Sequence, residues 1–236
     1  MTTGLTYSTF VTQLAELAVV DPADVNFQAI LPMAITYAEN RMCREIDFLF
    51  TVVADTSQQL TAGQRLFQYN ASPFVTLQQV NVFTPAGAVG SNGIRVPLLP
   101  TTKEFLDNVY PSLSGASVPQ YFAMFDQTSF VVGPWSNNTY NIEIVGTIRP
   151  TSLSASTTTT FISTYLPDLM LMASMIYISG YQRNWGKMSD DPAMALSYES
   201  QYNSLKNGAY VEEARKKFQA SGWTSMSPPV AASPSR

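Results

Sequence analysis

The start of the chain carries apolar residues at the spacing of an amphipathic helix. They are Phe10, Val11, Leu14, Leu17 and Ala18, and either Thr6 or Ser8 stands before them as a capping residue. The sequence Asp21-Pro22-Ala23-Asp24 then favours a turn, because proline and aspartate interrupt a helical pattern. We therefore predict one short helix that ends before residue 21.

A second apolar stripe predicts a longer helix. Its members are Leu31, Ala34, Ile35, Ala38, Met42 and Ile46. Proline inside a helix removes a hydrogen bond, whereas proline in the first turn removes none. Pro32 therefore predicts a helix that begins near Leu31, with residues 26–30 as a lead-in turn. The single cysteine, Cys43, lies in this pattern and is predicted to be a buried or half-buried thiol.

From residue 48 to residue 150 the pattern becomes that of short β-strands. The candidate strands are residues 50–53, 66–68, 75–83, 94–98, 120–125, 130–132 and 140–148. Turn residues such as Ala62-Gly63 and Asn137-Asn138 separate the strands. A short helix is predicted over residues 101–110, where Pro111 ends it. The segment is therefore predicted to be a small antiparallel sandwich or barrel.

Helical patterns return after a loop rich in Ser and Thr. One helix is predicted from Pro167 to about Arg183. Its apolar residues cover nearly the whole circumference and so require neighbours on all sides: Leu169, Met170, Leu171, Met172, Met175, Ile176 and Ile178. Asp191-Pro192 is typical of the start of a further helix. That last helix carries Tyr198, Tyr202, Leu205, Ala209, Ala214 and Phe218, and Asn207-Gly208 is a candidate kink.

The fold class predicted from these patterns is α+β. A helical bundle of about four helices is built from both ends of the chain, with the small antiparallel β domain inserted between them. The predicted divisions are residues 1–47 and 152–222 for the helices, 48–151 for the β domain, and 223–236 for an extended tail rich in Pro and Ser. Such a tail composition cannot form a core alone.

The amino-acid composition excludes several kinds of catalytic and metal site. The chain has no histidine and one cysteine, so Ser-His-Asp and Cys-His nucleophile pairs and the usual zinc shells are excluded. Charged residues make up 13% of the chain, against about 25% in an average soluble domain. We predict a protein that is not an enzyme, that needs no cofactor or metal, and whose surfaces are partly covered by partners.

Three further groups of residues have both a functional interpretation and an ordinary structural one. The aromatic residues Tyr121, Phe122, Phe125, Phe130, Trp135 and Tyr140 could stack on sugars, but packing on a sheet face is the preferred interpretation. Asp190-Asp191 could hold a divalent cation, but helix capping by Asp191 is simpler. Glu16, Glu39 and Asp47 are placed at mostly exposed helical positions, and nothing in the sequence brings two of them together as a hydrolytic pair.

Charge argues against tight binding of nucleic acid. The net charge is −4, and Arg215-Lys216-Lys217 is the only basic run. Glu212 and Glu213 precede that run at the spacing of helical ion pairs, Glu212–Lys216 and Glu213–Lys217, so a solvated face is predicted. The most apolar stretch, residues 169–178, is too short to cross a bilayer, and no membrane partner is predicted.

Several short segments of the chain follow one another in a distinctive order. In chain order they are Leu31-Pro32-Met33-Ala34-Ile35, Ala38-Glu39-Asn40-Arg41-Met42, Arg44-Glu45-Ile46, Tyr110-Pro111-Ser112-Leu113, Val118-Pro119-Gln120-Tyr121-Phe122-Ala123, Phe130-Val131-Val132-Gly133-Pro134, Tyr140-Asn141-Ile142-Glu143-Ile144, Arg149-Pro150 with Leu153-Ser154, and Tyr165-Leu166-Pro167-Asp168-Leu169-Met170. Together they resemble the head-to-tail adaptor proteins of tailed bacteriophages. The resemblance extends from about Phe27 to Tyr181 and is specific through the order of the segments.

The resemblance implies a structural protein of the virion neck that is assembled in the host cytoplasm. Proteins of this kind form a ring, commonly of twelve copies, below the portal protein. The ring extends the DNA channel and presents a platform to the tail or nozzle protein. The acidic balance of the chain is compatible with double-stranded DNA sliding past without tight binding. A receptor- or glycan-binding virion protein that uses the β domain is the alternative.

The tail is the candidate docking segment. Trp223 and Met226 are possible anchors, and Pro228 and Pro229 would hold the peptide extended. The preceding Arg215, Lys216 and Lys217 could face an acidic partner. The sequence leaves open whether the tail docks on the portal, docks on a neighbouring subunit, or is a remnant without a partner.

Overall fold

The computed structural model describes residues 4–69, 74–182 and 193–220. These residues form two compact units. One unit, called here the helical unit, comprises Met1–Leu49 with Thr151–Arg236, and the other, the β unit, comprises Phe50–Pro150. The helical unit is thus built from both ends of the chain.

The helical unit contains five of the helices. They are α1 (Tyr7–Ala18), α2 (Val25–Glu45), α4 (Phe161–Tyr165), α5 (Pro167–Gln182) and α6 (Ala193–Ala220), while α3 (Lys103–Val109) belongs to the β unit. Helix α5 packs against each of the other four. Met170, Ala173, Met175 and Ile178 of α5 are completely buried, as a surrounded helix requires. By contrast, Leu171, Met172 and Ile176 are only half-buried.

Side-chain caps determine where α1 and α2 begin. The Thr6 hydroxyl accepts a hydrogen bond from Thr9 N, and the Thr6 backbone N–H in turn donates to the Thr9 hydroxyl. The Asp24 carboxylate accepts from Asn26 N and Phe27 N, at 2.9 and 2.8 Å. Because this cap is strong, α2 begins at Val25, six residues earlier than Leu31.

The predicted start of α2 was therefore wrong, and Pro32 lies inside the helix. The reason is visible in the surroundings of the proline. Pro32 lacks the N–H that would bond to the Gln28 carbonyl, and both residues are exposed, so water can bond to that carbonyl instead. The buried side chain of Phe27 packs the N-terminal turns of α2, those before Leu31, against the core.

A few predicted core positions also differ. Leu17, Ala214 and Phe218 are exposed, whereas Ala15 and Glu213 are buried in the corresponding helices. Helix α6 runs without a break through Asn207-Gly208, so the candidate kink does not interrupt the helix. Asp190, Asp191 and Pro192 lie outside the described residues.

The β unit contains two four-stranded sheets. Its strands are β1 (Val52–Leu60), β2 (Leu66–Gln68), β3 (Phe74–Thr84), β4 (Ile94–Pro97), β5 (Leu99–Pro100), β6 (Tyr121–Asp126), β7 (Ser129–Gly133) and β8 (Tyr140–Ile148). The strand orders are β1-β8-β3-β4 and β2-β7-β6-β5. All pairs are antiparallel except β5 with β6, which is parallel and departs from the predicted antiparallel arrangement.

One apolar core lies between the two sheets. Val80, Val82, Ile142 and Ile144 come from one sheet, and Phe122, Phe130 and Val132 come from the other. Side chains alternate along a strand, so the intervening Ala123 and Val131 point to the opposite face. There they pack against Leu106 of α3 (Lys103–Val109). The arrangement is the sandwich of the two predicted alternatives, and the α+β class is confirmed.

Strand β8 lies between β1 and β3 and requires a glycine. A Cβ atom on Gly146 would stand 2.3 Å from the Thr76 carbonyl oxygen and 2.8 Å from the Phe74 ring. Because neither a backbone atom nor a buried ring can move away easily, Gly146 allows β3 to approach β8 closely.

Helix α5 supplies a test of the helical core. We expect Met175→Asp to abolish soluble folded protein, because an unpaired buried carboxylate costs several kcal/mol, which is about the whole stability of a domain. The neighbouring variant Leu171→Asp is the matched control, since this half-buried side chain can turn towards water. Circular dichroism and thermal melting measure both. Equal stability of the two variants would contradict the central position of α5.

Candidate functional site

A polar seam joins α2 to α6. The Arg41 guanidinium donates to both carboxylate oxygens of Glu199, at 2.8 and 2.5 Å, and its Nε donates to Glu45 at 2.9 Å. The same guanidinium lies over the Tyr202 ring, 4.4 Å from the ring centre. The seam therefore combines a bidentate ion pair with stacking, a geometry that arginine allows and lysine does not.

Glu45 accepts several hydrogen bonds in the seam. Lys206 donates to its carboxylate at 2.8 Å and Tyr202 at 3.1 Å, while the Tyr210 hydroxyl donates to its backbone oxygen. Burial alone would raise the pKa of Glu45, but the hydrogen bonds from Lys206, Arg41 and Tyr202 outweigh it and lower that pKa. Burial and the negative charge of Glu45 raise the pKa of Tyr202. The carboxylate is therefore charged and the phenol neutral at neutral pH.

Two buried glutamates hold the chain where it leaves and re-enters the helical unit. Glu213 of α6 accepts a hydrogen bond from the backbone N–H of Leu49 at 3.0 Å. Glu39 of α2 accepts one from Leu153 N, also at 3.0 Å. Leu49 is the last residue before the β unit, and Leu153 follows shortly after it. Both chain crossings are thus fixed by carboxylates from helices.

The environment of Glu39 differs from that of Glu213. Lys216 donates to Glu213 at 2.8 Å and balances its charge. Glu39 has no ion pair among the residues that the structure describes, and its second oxygen has no hydrogen-bond partner there. Burial raises the pKa of Glu39, and the Ser152 hydroxyl and the Leu153 N–H offset the effect only in part. The expectation that Glu39 is exposed was wrong.

The basic candidates lie at the end of α6. Lys216 pairs with Glu212 and Glu213, at 2.7 and 2.8 Å, which confirms the predicted Glu212–Lys216 pair. Lys217 pairs with Asp47 instead of Glu213, because the latter is turned inwards towards Leu49. Arg215 is exposed.

The other docking candidates, Trp223, Met226, Pro228 and Pro229, lie outside the described residues. The tail therefore stays a prediction, and the structure brings only the basic residues of the predicted set into view.

A groove runs beside the seam. Met33, Tyr37 and Arg44 of α2 and Tyr177 of α5 line it, with a volume of about 460 Å³. The Tyr37 and Tyr177 rings lie 5.4 Å apart. The groove offers aromatic surface and one exposed guanidinium.

The aromatic residues of the β unit do not form a common platform. Phe122, Phe130 and Tyr140 are buried in the core between the sheets. Tyr121 packs beside α3, and the Trp135 indole donates to the Tyr110 carbonyl at 3.1 Å. Of the six, Phe125 alone counts as exposed. For Phe122, Phe130 and Tyr140 the interpretation as sheet packing is confirmed, whereas for the exposed Phe125 it is not.

The acidic candidates are likewise separated by their contacts. Asp47 pairs with Lys217, Glu39 faces Leu153, and Glu16 lies on the outer side of α1. Within residues 4–69, 74–182 and 193–220, no group of three or more His, Cys, Asp or Glu residues is placed to hold a metal ion. No described helix is both long and apolar enough to span a membrane. Cys43 is half-buried, as predicted.

Comparison with protein families gives a match over nearly the whole chain. The model of the SU10 adaptor protein family matches residues 5–228. The chain belongs to this family. No curated protein matches it. The family is one of phage structural adaptors, so the chain has a structural role in the virion, in agreement with the predicted resemblance. The match extends beyond both ends of the resemblance, to include α1 and residues 223–228.

The residues around Arg41 in α2 make the contacts that hold distant parts of the helical unit together. Within it, Glu39 fixes the chain crossing at Leu153, and Arg41 and Glu45 form the seam with α6. The resemblance includes this segment, but the sequence predicts neither the crossing at Glu39 nor the seam of Arg41 and Glu45. Their signal was weak, because only the Arg41–Glu45 pair is local, at the i,i+4 spacing.

Glu39 generates a test by pH. A carboxyl with a raised pKa stabilises the fold fully below its ordinary value of 4.5, and this contribution is lost as pH rises through the raised value. Glu39→Gln keeps an acceptor for Leu153 N–H but carries no charge. We therefore expect the unfolding free energy of the variant, measured relative to the wild type, to rise between pH 4.5 and pH 7.

The control for this test is Glu39→Leu. It removes the acceptor and should lose about 1–3 kcal/mol relative to Glu39→Gln at every pH, the cost of an unsatisfied buried N–H. Denaturant titrations at several pH values measure all three proteins. Because other carboxylates also titrate, the difference from the wild type is the relevant quantity. A difference between Glu39→Gln and the wild type that does not vary with pH would contradict the proposed environment of Glu39.

Proposed function

We propose that the chain is a head-to-tail adaptor whose copies form a ring, twelve in number, below the portal protein of the virion. The ring extends the DNA channel and offers a platform to the tail or nozzle protein. The observation that carries this proposal is the family match over residues 5–228, which covers both the helical unit and the β unit. The protein acts as a building element, and its assembly takes place in the host cytoplasm.

The exposed apolar residues support an assembled state. Val19, Val25, Ile94 and Leu196 are each at least 70% exposed in the single chain. An interface core is depleted of charge and enriched in apolar side chains, and this chain combines few charges with many exposed apolar residues. Contacts between copies would remove these side chains from water.

Passage of DNA without tight binding is part of the proposal. Most basic side chains that the structure describes are already engaged with carboxylates: Arg41, Arg65, Arg95, Lys103, Lys206, Lys216 and Lys217. Tight sequence-independent binding depends on clustered cations that release counterions from phosphates. Because most of these cations are paired and the chain is acidic, we expect DNA to slide through the ring and not to be retained by it.

Assembly with the portal is the direct test. We expect the purified chain to be a monomer or weak oligomer alone and to form closed rings when isolated portal complexes of the same phage are added, because head-to-tail contacts form a ring only when the rotation closes. Light scattering and electron microscopy of the mixture measure this. Portal complexes that remain free of the chain at high micromolar concentration would contradict the adaptor function.

We also propose that the tail docks on the portal or on a neighbouring subunit through Trp223 and Met226, with Pro228 and Pro229 holding it extended. Arg215, Lys216 and Lys217 lead into this segment. Extended proline-containing peptides lose less entropy on binding, and tryptophan is a frequent binding anchor.

Removal of residues 223–236 tests this proposal. The expected result is an unchanged Tm with weaker attachment to portal complexes, and Trp223→Ala should reproduce a large part of the loss. Ser225→Ala is the matched control, since it removes little contact area. Full attachment by the shortened chain would refute docking, and unfolding of the shortened chain would place Trp223 in the core instead.

Binding to DNA is measured separately. In a gel-shift assay with duplex DNA, we expect no complex at moderate salt, or one that disappears after a small increase in salt. Tight binding that resists salt would contradict the sliding model and would require a cluster of free cations in the assembled ring.

A further inference from the structure

The turn between α1 and α2 exposes an apolar surface with an acidic rim. Leu17, Val19 and Val25, called here the α1–α2 corner, are 38%, 81% and 80% exposed. Glu16, Asp21 and Asp24 surround it, and none of them belongs to an ion pair within the described chain. The corner is therefore an exposed apolar surface that is bordered by three acidic side chains.

Val19 combines an unfavourable backbone conformation with a side chain that is exposed in the single chain. It caps α1 with φ of 55° and ψ of 44°, in the left-handed region, where glycine or asparagine is usual and a β-branched residue is a rare outlier. Its side chain packs little in the single chain, because most of it faces solvent. Backbone strain of this kind is typical of sites where the surroundings or a partner use the side chain.

The C-terminal half of α6 presents the complementary surface. Val211 is 51% exposed, Ala214 is exposed one turn further on, and Arg215 stands beside Val211 at the i+4 position. These three residues are called here the α6 outer stripe. Arg215 takes part in none of the ion pairs found among the described residues. The stripe is thus apolar with an available positive charge.

We infer that the α1–α2 corner of one copy docks on the α6 outer stripe of the next copy. The two surfaces match in character, because each is apolar, and in charge, because acids rim one and Arg215 borders the other. Two different surfaces on one chain give a head-to-tail contact, which is the type that builds a ring. This inference rests on the proposed ring and names the surfaces that form it.

Cross-linking tests the contact. In a Cys43→Ala background, the pair Val19→Cys and Val211→Cys in one chain is assembled on portal complexes and treated with a short bismaleimide. We expect a ladder of covalent multimers on a denaturing gel from the double variant. Each single variant should stay monomeric, since residue 19 meets residue 211 and not its own copy.

The control pair is Val19→Cys with Leu113→Cys, where Leu113 is similarly exposed but lies in the β unit. This pair should give no ladder. Dimers from Val19→Cys alone would show that like surfaces meet, which overturns the inference. Rings visible by electron microscopy without a ladder from the first pair also overturn it, and they leave the ring itself in place.

Charge reversal gives an independent readout. Glu16→Arg and Arg215→Glu should each reduce the assembled fraction on the order of tenfold, because like charges then face each other across the contact. The double variant should recover most of the assembly. Glu104→Arg, an exposed position on α3, is the control and should assemble normally. Failure of the double variant to recover, with both single variants impaired, would overturn the pairing of these two residues.

Val19→Asn separates stability from assembly. Asparagine tolerates the left-handed conformation, so the Tm should stay the same or rise while assembly on portal complexes falls. A variant that assembles like the wild type would remove Val19 from the contact. A wild-type chain that never forms rings with portal complexes would instead refute the proposed function, and the two failures are therefore distinguishable.

Discussion

The helical unit depends on two backbone hydrogen bonds to buried carboxylates. Its helices come from opposite ends of the chain, so the fold closes only if the points where the chain leaves and returns are held in place. Glu213 holds Leu49, and Glu39 holds Leu153. A buried backbone N–H that lacks its acceptor costs about 1–3 kcal/mol, and the entropy of closing a long insertion grows only slowly with its length. Two such anchors are therefore a substantial contribution to closing the unit.

The seam explains how a chain with few charges uses them. Arg41, Glu45, Glu199 and Lys206 are committed to joining α2 with α6, while α5 contacts both helices through apolar side chains. Lys216 and Lys217 are similarly committed near the chain crossing at Leu49. A surface with few free cations follows, and this property links the packing of the subunit to the proposed sliding of DNA.

Much of the fold could be predicted because its signals are local. The strand at residues 140–148 and the helix that begins at Pro167 were both placed correctly, since alternation and helical spacing are visible within ten residues. The predicted start of α2 was wrong because the strong cap at Asp24 outweighs the penalty of an exposed proline inside the helix. The parallel pairing of β5 was beyond prediction, since a two-residue strand has no periodicity.

The site was less predictable because its contacts are distant in sequence. Glu39 meets Leu153, and Arg41 meets Glu199, more than a hundred residues away. Helical periodicity assigned Glu39 to the surface, since it does not show which face the returning chain will cover. The exposed side of α6 was predicted as core for a related reason. An apolar stripe looks the same whether its neighbour lies in the same chain or in another copy.

The central claim is that this chain forms the ring between portal and tail, and a reconstruction of the virion neck by electron cryo-microscopy tests it most directly. The account predicts copies of this chain around the axis below the portal, each with its helical unit beside the next copy and with density for α1 near α6 of the neighbour. A neck without this chain, or the chain found only in the capsid shell or a tail fibre, would contradict the account.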